Sequence, residues 1–186
     1  MVALPDFNSS GVLPPGDYSL TFAELRQSVL VKGHADNPQW DADWRLKLLE
    51  GCEVMVRQLW AVGVTEVFLD GSFVEDKAHP GDIDGYFECN LESLTEIVTQ
   101  LNVLDPYKVW TWKPESRQPD PATRKLQLPM WFRYHSELYP HFGQSSGIPG
   151  EGGFEQTFPA AFRQSRSGTP KGIIHLTPEG GHRDSY

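Results

Sequence analysis

Asp82 and Asp84 flank one apolar residue, Ile83, at the start of a β-like run that ends at Cys89. Successive side chains of a strand point to opposite faces, so residues i and i+2 share a face. The two aspartates are therefore expected side by side, with Ile83 turned into the core. Two carboxylates so placed repel, and each resists ionising. A divalent cation relieves that repulsion, and Mg²⁺ favours a few carboxylate oxygens together with substrate phosphates. Upstream, an apolar run over residues 64–69 leads through Asp70 into Gly71-Ser72. A Gly-Ser turn at a strand end, opening toward a helix, offers bare backbone N–H groups to a phosphate. Together these are the parts of a nucleotide-handling site.

The order of the parts is an apolar strand, Gly-Ser, nine residues, then Asp-x-Asp on the next strand. It resembles the nucleotidyltransferase superfamily related to DNA polymerase β, and within it a group of small bacterial and phage-associated proteins. The residues that carry the resemblance are Leu69-Asp70-Gly71-Ser72-Phe73-Val74-Glu75-Asp76-Lys77 and Pro80-Gly81-Asp82-Ile83-Asp84-Gly85-Tyr86-Phe87. It is tight over about residues 64–90 and looser on either side.

The resemblance implies that Asp82 and Asp84 hold one or two Mg²⁺ (or Mn²⁺) ions. The ions would bridge a nucleoside triphosphate and stabilise charge on the attacked phosphorus and the departing pyrophosphate. Gly71 would let the backbone approach the phosphates, and Ser72 would add a hydroxyl. Ser72 reads equally well as a turn residue that caps the following segment. Lys77 and Lys171 are candidate phosphate contacts, although a loop lysine is commonly a solvated charge. Asp70 departs from the apolar residue common before the glycine, and is expected to bond turn amides rather than metal. The superfamily takes a third carboxylate from a later strand. Residues 126–134 hold no acid, so Glu137 is the nearest candidate, with His135 as an alternative base; both also read as surface polar residues. The acceptor of the transferred group would be a protein, a small molecule or an RNA end. With two carboxylates alone, the chain reads instead as a non-catalytic binding module, such as an antitoxin or a phage-defence partner protein.

The elements that must position these residues can be read from periodicity. Residues 1–20 form a turn-rich arm with apolar teeth at Phe7, Val12, Leu13, Tyr18 and Leu20. Thr21 and Glu24 make a capping-box pattern that starts a helix through Val31. Apolar residues recur at three and four between Gln39 and Val62, which predicts a long amphipathic helix stopped by Gly63. Strands over 64–69 and 83–89 follow, then a helix over 91–101. Alternation predicts a strand over 107–112; residues 126–134 read as another strand, which Pro129 places at an edge or a bulge. Residues 140–153 read as a mobile loop, 154–166 as a short helix, 173–176 as a closing strand and 177–186 as a tail. The site strands are too close for a long crossover. The expected fold is a single α+β domain, a minimal palm-like mixed sheet with helices mainly on one face.

Composition bounds the partners. The chain of 186 residues is 39% hydrophobic and 12% aromatic, which suits one packed core. Its net charge of −9 disfavours extended nucleic acid and anionic membranes. A triphosphate escorted by a cation is still compatible with that charge. Cys52 and Cys89 belong to no Cys-x-x-Cys pair, which predicts free thiols in a reducing cytoplasm. No apolar run suits a membrane span, and the first residues lack the pattern of a signal peptide.

Overall fold

The computed structural model describes residues 4–34, 37–150 and 153–180. In chain order the elements are β1 (Asp17–Leu20), α1 (Phe22–Gln27), α2 (Val29–Lys32), α3 (Ala42–Ala61), β2 (Val67–Asp70), a 3-10 turn (Gly71–Val74), β3 (Ile83–Glu88) and α4 (Leu91–Leu104). A second 3-10 turn (Pro114–Ser116) precedes β4 (Gln118–Pro119), β5 (Leu126–Gln127), α5 (Pro129–Tyr134), β6 (Ser136–His141), β7 (Ser145–Pro149), β8 (Glu155–Thr157), α6 (Phe158–Ala161) and β9 (Ile173–Leu176). Five strands form one mixed sheet in the order β1-β9-β2-β3-β6. The inner pairs β9–β2 and β2–β3 are antiparallel, and the outer pairs β1–β9 and β3–β6 are parallel. The fold is thus the expected α+β arrangement around a mixed sheet.

The sheet has two unlike faces because its strands alternate. Val67, Leu69, Ile83, Phe87, Leu138, Ile174 and Leu176 face α1 to α5 and join the main core with Leu48, Leu49, Cys52, Met55 and Leu59 of α3. Phe68, Tyr86 and Ile173 face the other way and pack with Phe158, Ala161 and Phe162 at α6. Helices therefore cover mainly one face. The N-terminal arm lies on the domain as expected from residue 4 onward. Leu13 is fully buried, and β1 at its end joins the sheet edge. Arm residues 1–3 and tail residues 181–186 lie outside the described residues.

Four expected elements differ. The helix through Val31 is two, because Ser28 closes α1 by donating its N–H to Leu25 and opens α2 by accepting from Leu30 N. Residues 107–112 form no strand: Lys108 has a positive φ, and the Asn102 amide satisfies both backbone groups of Trp110 in place of a neighbouring strand. Residues 129–134 are helical, with Pro129 in the first turn, where its missing N–H costs nothing. Ser145–Pro149 and Glu155–Thr157 pair as the antiparallel strands β7 and β8 where a loop and a helix start were expected, so the helix shrinks to α6.

Candidate functional site

Strand pairing brings the acids together. Asp70 at the end of β2 lies opposite Asp84 of β3, and Asp84 lies beside Glu137 of β6. Paired residues share a face, so the three carboxylates form a row across three adjacent strands, on the α6 side of the sheet. Asp82 is the fourth acid, two residues before Asp84. Asp84 is held well above the usual carboxylate range, first by burial and then by the charges of Asp82, Glu137 and Asp70. Burial also pushes Asp70 up, to about 7, against the pull of Lys171. This is the signature of a negative cluster short of positive charge.

Gly71 sits against that cluster with φ +75°, a left-handed conformation that favours glycine. A Cβ there would lie 2.4 Å from Asp84 Oδ2. The chain thus turns from β2 into the 3-10 turn with its backbone directly on Asp84. The leading N–H groups of such a turn have no partner within it. Ser72 is half-buried, and its hydroxyl has no hydrogen-bond partner among the described residues. The arm braces the turn from behind: Leu13 N donates to Val74 O at 3.1 Å and Asp76 N to Gly11 O at 2.8 Å.

The two lysines do not stand free beside a phosphate seat. Lys171 is buried, and its ammonium donates to Gly71 O at 3.1 Å and Glu75 Oε1 at 2.8 Å. It also lies 3.2 Å from Asp70 Oδ1, an ion pair without hydrogen-bond alignment. Lys171 is an internal counter-ion that ties the turn to Asp70. Lys77 is exposed and makes no ion pair with a described residue; the hydrogen bonds it makes are through its backbone, its N–H donating to Glu75 O at 2.7 Å and its carbonyl accepting from Arg45.

Glu137 is buried rather than a surface group. Its Oε1 accepts from Leu128 N at 2.7 Å, its Oε2 accepts from the Tyr139 hydroxyl, and Arg117 lies 3.7 Å away. His135 is half-buried with φ +49°, and closes α5 by donating its N–H to Trp131 O. Burial and Lys47 lower its pKa, and its Nδ1 is sealed without a hydrogen-bond partner. Sequence reading did not foresee that the Trp131 indole Nε1 donates to Asp82 Oδ2 at 2.9 Å.

The donor set is all carboxylate oxygen, which suits a hard cation such as Mg²⁺ or Mn²⁺. Among the described residues, no three His, Cys, Asp or Glu side chains converge tightly enough to close a metal shell by themselves. Phosphate oxygens and water would have to complete one, as is usual for Mg²⁺. No helix among the described residues is long and apolar enough to cross a membrane.

No curated protein and no solved structure matches this chain. Residues 5–177 match the model of a family of unknown function, DUF6932, and the chain belongs to that family.

Proposed function

We propose that the chain is a Mg²⁺- or Mn²⁺-dependent nucleotidyltransferase that moves an NMP group from an NTP to a hydroxyl of a protein, a small molecule or an RNA end. One observation carries the reading: the paired row Asp70, Asp84 and Glu137, with Asp84 packed on the glycine of the Gly71-Ser72 turn. Asp82 and Asp84 would hold the cation, which when bound would draw charge from the phosphates. The turn would supply backbone N–H groups and the Ser72 hydroxyl to phosphate oxygens. Glu137, buried beside Asp84, would orient the acceptor hydroxyl and take its proton. Lys171 keeps the turn and Asp70 in register. The net charge of −9 weighs against a long nucleic-acid acceptor. Free Cys52 and Cys89 fit a reducing cytoplasm.

The test is incubation with each α-labelled NTP, Mg²⁺ or Mn²⁺, and cell lysate. Label should pass to an acceptor with the wild-type chain and not with Asp84→Asn. A second reading, a non-catalytic binding module such as an antitoxin or phage-defence partner, is favoured by the full engagement of both Glu137 oxygens. It predicts no label transfer, and a stable protein complex indifferent to Asp82→Ala and Asp84→Ala.

A further inference from the structure

The four acids of the site do not have equivalent partners. Asp70 is countered by Lys171, and Glu137 has Arg117 nearby. Asp82 and Asp84 make no ion pair among the described residues. The hydrogen bond that Asp82 does accept comes from a neutral donor, the Trp131 indole. An indole N–H donates only and carries no charge. It can hold a carboxylate in one orientation without cancelling the charge a cation needs, whereas a lysine or arginine there would compete with the cation.

The indole is itself held. Its ring stands edge-on to Phe132 at 5.2 Å and to His135 at 5.4 Å. His135 stands edge-on to Trp44 at 5.2 Å, and Trp44 stacks on His79 at 4.9 Å. The Trp44 Nε1 donates to Pro80 O at 2.6 Å, and Ile83 N donates to His135 O at 3.0 Å. The segment carrying Asp82 is thus fixed on both sides of the acid by the chain of rings that ends in Trp131. The same short helix fixes Glu137, through the N–H of its cap residue Leu128.

We infer that Trp131 is a positioning residue for a divalent cation, fixing Asp82 by Oδ2 so that Oδ1 is the oxygen left for the metal. The inference rests on the nucleotidyltransferase reading. Outer hydrogen bonds of this kind commonly set metal affinity by 10–100-fold. They act by fixing the ligand before the metal arrives.

The experiment is a Mn²⁺ titration of the full chain, followed by electron paramagnetic resonance, on wild type, Trp131→Phe, Asp82→Asn, Asp84→Asn and the double variant Trp131→Phe/Asp82→Asn. Phe keeps a ring against His135 and Phe132 and removes the N–H. Trp131→Phe should keep the wild-type circular dichroism and weaken Mn²⁺ binding by about 10–100-fold. The double variant should bind no worse than Asp82→Asn, because the indole acts only through that acid. A readout that needs no variant fold is the Trp131 indole N–H resonance of the wild-type chain, which should shift on adding Mg²⁺. Wild-type affinity in Trp131→Phe, its full effect persisting without Asp82, or an indole resonance indifferent to Mg²⁺ would each overturn the inference and leave the transferase reading standing. A wild-type chain that takes no Mn²⁺, or Asp84→Asn binding it as well as wild type, overturns both.

Discussion

Asp84 is a residue whose surroundings disfavour its own charge. It is crowded by Asp82, Glu137 and Asp70 and by the Gly71 backbone, and its carboxyl is held far above the ordinary range. Asp84→Asn keeps the shape and removes the charge. We expect it to raise Tm at pH 8 in EDTA by roughly 3 °C, about 1 kcal/mol for a chain of this size. The same variant should lose any stabilisation by Mg²⁺. Calorimetry with and without Mg²⁺ checks both; a lowered Tm in EDTA would contradict the electrostatic account. Gly71→Ala places a methyl on Asp84 Oδ2 in a left-handed conformation. It should cost about 1–2 kcal/mol or more in urea unfolding. The spacing of Gly71-Ser72 and Asp82-Ile83-Asp84 made Gly71, Ser72, Asp82 and Asp84 legible in the sequence. Trp131 and the true role of Lys171 were not, because each acts on a partner far along the chain: the indole on Asp82, the ammonium on Gly71 and Asp70.

Two elements carry the geometry that residues alone could not announce. The first is the segment from the 3-10 turn to Asp82, pinned by Arg45 of α3. That fully buried guanidinium donates to Leu30 O, Phe73 O and Lys77 O, and lies over the Trp40 ring at 4.2 Å. Burial pulls its pKa down to about 9. Arg45→Met would leave three carbonyls with less to bond, at about 1–3 kcal/mol for each buried group left unmet. We expect faster proteolysis within residues 73–82 at unchanged helical signal, and protection equal to wild type would argue against this brace. The second is α5, read from sequence as an edge strand because residues 126–134 are apolar and carry Pro129. A proline at the first helical position is equally at home. What decides is tertiary: Gly51 of α3, where a Cβ would come within 2.4 Å of Tyr134 O, lets α5 pack closely. The long helix, β2, β3 and β9 were legible because their periodicity is strong. The segment 107–112 was not, since a side chain, Asn102, substitutes for a strand partner.

At the scale of the whole molecule, the sheet gathers negative charge at one place in a chain already at −9. Asp70, raised to about 7, binds a proton in the native state at pH values where the unfolded chain has released it. Stability from this group is therefore greatest below about pH 4 and declines as pH rises toward 7; Asp84 contributes in the same direction. On the proposed reading, a bound cation would take the place of those protons. Mg²⁺ should thus stabilise little at pH 5 and most at pH 8, by about 2.7 kcal/mol at a hundredfold excess over its Kd. Thermal melts across pH 5–8 with Mg²⁺ or EDTA measure this, and a Mg²⁺ effect that does not grow with pH would count against the acid row as its seat. The most direct measurement is equilibrium binding of each of the four labelled NTPs to the wild-type chain and to Asp84→Asn, in Mg²⁺ and in EDTA. At least one nucleotide should bind the wild-type chain in Mg²⁺, and its binding should vanish both in EDTA and in the variant. Binding of none of the four, or binding that survives EDTA and the loss of Asp84, would contradict it.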